Sequence, residues 1–237
     1  MYGRRSQRNG VDVKALITGG SQGLGRALAE ELAARDWQVI ITGRHPETLH
    51  AVAAANSAIA AVVGSVRSES HRSELAASVG DSLDLLVNNA SYLGPSPLST
   101  LVDFGEDELH AVFDTNVVSP ISLIGHVAPA LQTAGGVVVN VSSDAAVEAY
   151  ENWGPYAASK AALDHASAIL AVEQPQLRVY AVDPGDMRTA MHQAAFPHED
   201  ISDRPLPETV VPSLLRLIES GLPSGRYVAS QLGAHAA

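Results

Sequence analysis

The chain alternates short, continuously apolar runs with longer stretches of helical pattern, and this alternation constrains its fold most. The strand candidates are Ala15–Thr18, Val39–Thr42, Ile59–Val63, Leu83–Asn88, Val137–Val141, Val179–Val182 and a weaker Arg226–Ala229. The helix candidates are Leu24–Ala34, Pro46–Ala55, Glu69–Val79, Asp107–Leu131, Pro155–Val172 and Pro207–Glu219. Strands that are apolar throughout are typical of a parallel sheet buried on both faces, with helices in right-handed crossovers. The sequence therefore predicts an α/β fold, a doubly wound parallel sheet of about seven strands with helices on both faces.

The length of 237 residues fits one large domain. We find no internal repeat or linker, so we expect a single domain over residues 11–237. We expect a disordered tail over residues 1–10. The one long irregular stretch is Gly185–Leu206, which follows the carboxyl end of a predicted strand. A long loop at that position is typical of a lid, and we expect it to cover a substrate.

The composition argues against several classes of partner. The formal net charge is −11, so nucleic acid and anionic membrane surfaces are poor partners. The sequence has no cysteine, which excludes disulfides and thiolate chemistry and is compatible with the cytoplasmic location that we expect. An Arg pair lies near the start, but no apolar segment of a secretory signal follows it, and no apolar run approaches the roughly 18 residues of a membrane helix.

A glycine-rich turn follows the first predicted long strand and reads Thr18-Gly19-Gly20-Ser21-Gln22-Gly23-Leu24-Gly25. Gly19 allows a tight turn, Gly23 lets the backbone approach a pyrophosphate, and Gly25 lets helix and strand pack closely. The helix that follows would direct its free N–H groups at the phosphates. The alternative is a plain strand-to-helix connection.

The end of the second predicted strand reads Thr42-Gly43-Arg44 and indicates which dinucleotide the site prefers. Enzymes that bind NAD place an acidic residue near this point to hold the ribose hydroxyls. Here the carboxylate is missing, and the Arg44 guanidinium can form charge-assisted hydrogen bonds with a 2′-phosphate. We therefore predict NADP(H) in preference to NAD(H). The alternative is that Arg44 only caps the strand in solvent.

Three residues form a candidate catalytic set. Ser143 follows the fifth strand, Tyr156 comes thirteen residues later, and Lys160 follows Tyr156 by four. Positions i and i+4 share a helix face, so the two latter side chains can meet. A nearby ammonium would lower the pKa of a tyrosine, which is otherwise near 10. The alternative for the Tyr-x-x-x-Lys pair alone is a solvated helix surface.

Further polar motifs occur in a matching order: Asn88-Asn89-Ala90 after the fourth strand, Asn116 in the long helix, and Pro184-Gly185 after the sixth strand. Together with the glycine turn and the Ser, Tyr and Lys residues, they resemble the short-chain dehydrogenase/reductase family. The resemblance covers Ala15 to about Thr189 and implies a Rossmann-type fold and an oxidoreductase.

The resemblance also implies roles for the catalytic residues. Tyr156 would be the general acid in reduction and the general base in oxidation, and Ser143 would polarise the substrate oxygen. Lys160 would lower the tyrosine pKa and hold the nicotinamide ribose. Asn116 would support a water that links Lys160 to a proton relay.

The implied cofactor contacts extend along the whole cleft. They are Gly19, Ser21, Gln22, Gly23, Leu24, Gly25, Arg44, Asn88, Ala90, Tyr156, Lys160, Pro184, Gly185 and Thr189. No metal ligands are expected, because the histidines do not show metal-ligand spacing.

Some positions depart from the family pattern. Ser91 stands where glycine is usual, and Ser65 stands where the family commonly has an aspartate near the adenine. The usual Asp-Gly-Gly tail is replaced by a segment that begins with Arg226. The predicted lid carries His192 and His198, which either contact substrate or lie in solvent.

The leading interpretation is an NADP(H)-dependent oxidoreductase that transfers a hydride between nicotinamide and a carbonyl or alcohol. The expected partners are that small molecule and further copies of the chain in a homodimer or homotetramer. The main alternative is a non-catalytic NADP(H)-binding or redox-sensing protein on the same fold. A methyltransferase would leave the Tyr–Lys pair without a role, and a nucleotide-sugar epimerase normally needs a second domain. Trp153 and Tyr150, which precede Tyr156, are candidates either for substrate contact or for packing.

Overall fold

The centre of the protein is a parallel sheet of seven strands, as the apolar runs of the sequence predict. The computed structural model describes residues 7–8 and 11–232, with side chains from Val13 onward. Two short strands, β1 (Gln7–Arg8) and β2 (Val11–Asp12), pair with each other antiparallel. The main sheet consists of β3 (Lys14–Thr18), β4 (Gln38–Gly43), β5 (Ile59–Val63), β6 (Leu85–Asn88), β7 (Val137–Val141), β8 (Arg178–Asp183) and β9 (Gly225–Val228). Of the tail predicted over residues 1–10, the description covers the two residues of β1, and the others lie outside it.

Helices cover both faces of this sheet. They are α1 (Gly23–Ala34), α2 (Pro46–Ala55), α3 (Glu69–Val79), α4 (Glu106–Phe113), α5 (Ser119–Ala134), α6 (Gly154–Glu173), α7 (Ala190–Ala195) and α8 (Val211–Ser220). Successive residues of β3 point to opposite faces, so Ile17 packs with Leu28 of α1 and Leu215 of α8 in one core, while Leu16 packs with Leu123 of α5 in the other. This two-sided burial explains why the strands are apolar throughout.

Two predicted stretches differ from the structure by more than the positions of their end residues. The predicted helix Asp107–Leu131 is interrupted, because a π-helical turn at Asp114–Val118 separates α4 from α5. Such π-turns often occur at functional sites. The predicted irregular stretch Gly185–Leu206 contains α7, whose first turn is capped by the side chain of Thr189.

The continuous helical stretch Glu106–Ala134 is long and apolar enough to cross a membrane, judged by length and composition alone. A stretch of this kind was not predicted from the sequence. Its apolar side chains Leu123, Ile124, Val127 and Leu131 are buried against the sheet. Packing in the core therefore accounts for the hydropathy of this helix.

The strand order β5-β4-β3-β6-β7-β8-β9 reverses direction between β3 and β6. Chain connections leave this point towards opposite edges of the sheet, and a crevice opens at the carboxyl ends of the strands. Ligands of doubly wound folds bind at such a switch point. The fold therefore brings the glycine turn, the end of β4 and the residues after β7 to one edge.

Candidate active site

A cleft of about 300 Å³ lies along the carboxyl edge of the sheet. Its walls come from the turns after β3, β4, β5, β6, β7 and β8 and from the start of α6. Of the predicted site residues, those that line it are Gly19, Ser21, Gln22, Gly23, Leu24, Arg44, Ala90, Ser143, Tyr156, Lys160, Pro184, Gly185 and Thr189. The structure thus brings most of the predicted set together in one concave surface.

The glycine turn has the backbone geometry that close approach requires. Gly19 has a φ of 67° and Gly23 a φ of 55°, a region that favours glycine. Gly25 lies behind the cleft wall, where a β-carbon would overlap the carbonyl oxygen of Gly19 and lie 2.5 Å from Nδ2 of Asn89. The side chain of Gln22 does not cap α1, so the first N–H groups of the helix are available to an anion.

Asn89 fixes the shape of this turn. Its Nδ2 donates to the carbonyl oxygens of Thr18 at 2.9 Å and Gly19 at 3.1 Å. The Thr18 hydroxyl in turn accepts hydrogen bonds from the backbone N–H groups of Asn89 and Ala90, both at 3.0 Å. No role for Asn89 is predicted from the sequence. The available signal was its place in the Asn-Asn-Ala motif opposite the glycine turn.

Asn88 is a correction to the predicted cofactor contacts. Its side chain is buried and donates from Nδ2 to Oδ1 of Asn140 at 2.8 Å, and Asn140 donates onward to Ser167 at 2.8 Å. As the last residue of β6, Asn88 directs its side chain into the protein, while the residues after the strand face the cleft. Its amide therefore links β6, β7 and α6 and does not line the cleft.

Asn116 also lies behind the cleft and does not line it. Its Oδ1 accepts hydrogen bonds from Ser91 Oγ at 3.1 Å and Tyr92 N at 2.8 Å. Its Nδ2 donates to the Tyr92 carbonyl and to Ser159 Oγ, both at 2.9 Å. The side-chain amide of the π-turn thus joins the loop after β6 to α6. The predicted water relay through Asn116 stays a prediction.

Tyr156 and Lys160 meet at the bottom of the cleft, as their i, i+4 spacing predicts. Lys160 Nζ lies 5.5 Å from the centre of the Tyr156 ring and donates to the carbonyl of Val141 at 2.7 Å. Both residues are buried, and burial lowers the pKa of Lys160 to about 8, although the Asp164 carboxylate opposes this.

The pKa of Tyr156 is raised, mainly because burial disfavours the phenolate, while the hydroxyls of Ser143 and Ser91 act to lower it. The lowering of this pKa that is expected from Lys160 does not outweigh the effect of burial, and as a separate effect it stays a prediction. The ring and the ammonium are buried together, and burial disfavours the charged form of each. The serine at position 91, which departs from the family pattern, adds a hydroxyl beside the tyrosine.

Ser143 lies at the start of a short 3₁₀ turn, Asp144–Ala146. Its hydroxyl donates to Oδ1 of Asp144 at 2.8 Å and accepts from the backbone N–H of Ala145 at 3.2 Å. The other oxygen of Asp144 accepts from the Tyr150 hydroxyl at 2.9 Å. Tyr150 therefore braces this loop and does not line the cleft, whereas Trp153 does line it.

The substrate end of the cleft is mostly apolar. Leu93, Trp153, Met191 and Ala195 line it together with His192, whose side chain is 10% exposed. His198 is exposed and does not line the cleft. The α7 segment is held over this end by a hydrogen bond of 2.7 Å from Ser96 Oγ to the Ala194 carbonyl.

The opposite end of the cleft carries two exposed arginines, Arg44 and Arg67. Burial and a hydrogen bond to Glu108 raise the pKa of Tyr92, and the charges of both arginines oppose that rise. Arg67 also lies 3.4 Å from Asp114. Ser65 lines the same end, where its hydroxyl accepts from the backbone N–H of Arg67 at 3.3 Å. This end of the cleft therefore carries two arginines, of which Arg67 pairs with Asp114.

Comparison with known proteins indicates the same family that the sequence motifs resemble. A family model described as short chain dehydrogenase matches residues 13–200. The NADPH-dependent pterin aldehyde reductase of Arabidopsis thaliana is 33% identical over 189 residues, which cover 76% of this chain and 77% of that protein.

Two solved structures share the fold. A short-chain dehydrogenase from Shigella flexneri 2a strain 301, complexed with NADP, superposes with a TM-score of 0.86 at 30% identity and covers 92% of this chain and 97% of that one. A short-chain dehydrogenase from Escherichia coli CFT073, complexed with NADPH, has a TM-score of 0.84 at 28% identity, with 92% and 96% covered. The chain belongs to the short-chain dehydrogenase/reductase family and is an oxidoreductase.

Proposed function

We propose that this protein is an NADP(H)-dependent enzyme that interconverts a carbonyl compound and its alcohol, with Tyr156 as general acid in reduction and general base in oxidation. The observation that carries the proposal is the position of the Tyr156 hydroxyl, beside Ser143, with Lys160 beneath its ring and in the same cleft as the glycine turn. In reduction, the Ser143 hydroxyl turns from Asp144 to donate a hydrogen bond to the substrate oxygen, and Tyr156 gives its proton to that oxygen. When bound, the nicotinamide supplies the hydride.

The raised pKa of Tyr156 suits the reductive direction. Burial keeps the phenol protonated at neutral pH, so the acid has its proton when a carbonyl arrives. Once the proton has left, a phenolate remains in a buried site. The Lys160 ammonium, 5.5 Å from the ring centre, stabilises that negative charge.

The dinucleotide fits the residues of the cleft. The positive φ angles of the glycine turn and the uncapped start of α1 provide a surface for a pyrophosphate. Arg44 and Arg67 supply positive charge at the far end, and the end of β4 has no carboxylate to repel a 2′-phosphate. The NADP complex of the Shigella protein and the NADPH dependence in the name of the Arabidopsis reductase support this preference.

The substrate end supports a carbonyl compound with an apolar group next to the reacting carbon. Leu93, Trp153 and Met191 offer apolar contact there, and Tyr156 supplies the proton donor. Asp144 lies next to Ser143 on the exposed side and disfavours an anionic substrate.

The test is a panel of aldehydes and ketones with apolar, polar and anionic substituents, added to the purified protein while NADPH absorbance is followed. Parallel reactions with NADH measure the cofactor preference. We expect NADPH-dependent reduction of at least one neutral apolar carbonyl and weaker turnover with NADH. Tight NADPH binding without turnover of any carbonyl or alcohol would instead favour a non-catalytic sensor.

A further inference from the structure

Arg226 is a charged side chain that reaches under the catalytic cleft from β9, at the edge of the sheet. Its Nε donates to Oδ2 of Asp164 at 2.9 Å. One of its terminal nitrogens donates to the backbone carbonyl of Ser143 at 2.9 Å and lies 3.6 Å from Oδ2 of Asp183. One guanidinium therefore contacts three segments that are far apart in sequence.

Each of these three contacts leads to a part of the site. Asp164 lies one helical turn beyond Lys160 on α6, on the same face. The Ser143 carbonyl belongs to the residue proposed to hold the substrate oxygen. Asp183 ends β8, and its Oδ1 accepts from the backbone N–H of Gly185 at 2.9 Å, which fixes the turn that lines the cleft.

The two carboxylates of this cluster need a counter-charge because they are largely removed from solvent, whereas Arg226 is partly exposed. The side chains of Asp164 and Asp183 are 14% and 8% exposed, and that of Arg226 is 28% exposed. Among the described residues, Oδ1 of Asp164 is buried without a hydrogen-bond partner, and the carboxylate is compensated by its ion pair with Arg226 and by the charge of Lys160. A planar guanidinium holds its donors in a rigid fork, whereas an ammonium is a compact charge with three rotatable donors.

We propose that Arg226 is a positioning residue, which ties the Ser143 loop to the Pro184–Gly185 turn and to α6 and so sets where the substrate oxygen lies relative to the nicotinamide. The catalytic consequence of this inference rests on the proposed function. The set of contacts that Arg226 makes with the three segments, which we call the clamp, does not depend on it. A misplacement of about 1 Å between two reacting atoms can reduce a rate by about 100-fold. Loosening either loop should therefore lower the rate of the chemical step. Cofactor affinity depends mainly on the glycine turn and the arginine end, which Arg226 does not contact.

The first experiment measures the clamp without activity, by hydrogen–deuterium exchange of the full-length protein. We expect Arg226→Met to speed exchange about 10-fold in peptides that cover residues 141–147 and 183–188. Arg178→Met is the matched control. Arg178 starts β8 at the opposite end of the same strand and contacts the Ile218 carbonyl at 3.4 Å, so its loss should not affect these peptides. Unchanged exchange in both peptides would overturn the proposal.

The second experiment measures hydride transfer from NADPH and from its deuterated form in single-turnover reactions. Arg226→Met should lower the rate about 10- to 100-fold and enlarge the deuterium isotope effect, with the NADPH Kd within about threefold of wild type. Asp164→Asn should have a smaller effect, because Arg226 still contacts Ser143 and Asp183. Arg226→Lys should recover only part of the rate and serves if Arg226→Met does not fold.

The two experiments distinguish the clamp formed by Arg226 from the proposed catalytic function. Equal losses of rate in Arg226→Met and Arg178→Met would reduce Arg226 to a structural residue and contradict the positioning role. If wild-type protein reduced no carbonyl while Arg226→Met still freed both loops, the clamp would stand and the proposed function would fail.

Discussion

Burial acts in opposite directions on the two side chains at the bottom of the cleft. It raises the pKa of Tyr156 and lowers that of Lys160 to about 8, because each charged form loses its water. Both residues are therefore closer to their neutral forms than they would be in solvent. The hydroxyls of Ser143 and Ser91 partly offset the effect on the tyrosine.

The lowered pKa of Lys160 predicts how stability depends on pH. Between about pH 8 and its ordinary value of 10.5, the folded state has lost this proton and the unfolded state still holds it, so stability rises with pH. From pH 7.5 to 9.5, the free energy of unfolding of the wild type should rise by about 1–2 kcal/mol relative to that of Lys160→Met. Urea unfolding measures this. A pH-independent difference would show that burial does not perturb Lys160.

Arg44 gives a second prediction at the residue scale. Arg44→Ala should weaken NADPH binding about 10- to 100-fold, because a charge-assisted bond to phosphate is lost, and should leave NADH binding nearly unchanged. Arg26→Ala, on the exposed face of α1 where Arg26 pairs with Glu30, is the control. Fluorescence titration measures both affinities. Equal loss for both cofactors, or wild-type preference for NADH, would contradict the assignment.

At the scale of elements, the cleft depends on how closely α1 approaches β3 and the loop after β6. Gly25 is the contact point, because a β-carbon there would meet the Gly19 carbonyl and the Asn89 amide. Asn89 then holds the turn through two hydrogen bonds to its carbonyls. The position of the helix start, and so of its N–H groups, follows from this packing.

Gly25→Ala should therefore weaken NADPH binding at least about 10-fold, since the first turn of α1 must move away from the pyrophosphate site. Gly125 of α5 provides a matched control, because a β-carbon there meets open space. Gly125→Ala should leave binding intact and raise the free energy of unfolding by about 0.5–1 kcal/mol. Titration and urea unfolding check both variants. Normal NADPH affinity in Gly25→Ala would contradict this account of the turn.

At the scale of the whole molecule, apolar patterning predicted the sheet because strands buried on both faces leave a clear sequence signal. The meeting of Tyr156 with Lys160 was predictable because it depends on spacing within one helix. The different roles of Asn88 and Asn89 were not, because they depend on the partners that each side chain meets across the sheet, Asn140 for Asn88 and the carbonyls of the glycine turn for Asn89. The contacts of Arg226 and Asn116 join segments far apart in sequence, and no local pattern encodes them.

The predicted lid lies between the substrate end of the cleft and the solvent. We expect the segment Gly185–Leu206 to close over substrate, because Phe196, which directly follows α7, already lies beside Trp153, with 5.9 Å between the two ring centres. Tryptic cleavage after Arg188, which is exposed, should slow at least about fivefold when NADPH and substrate are both present. Cleavage after the exposed Arg35 should not change. Equal cleavage at Arg188 with and without ligands would argue against closure.

The central claim is that Tyr156 transfers the proton to the substrate oxygen, and Tyr156→Phe tests it most directly. The substitution keeps the buried ring beside Lys160 and Trp153 but removes the transferable proton. The measurement is the single-turnover rate of NADPH oxidation with a reducible carbonyl, together with NADPH affinity. The account predicts a fall of at least about 10²–10⁴-fold in that rate with nearly unchanged affinity. A rate near that of wild type, under conditions where chemistry limits turnover, would contradict it.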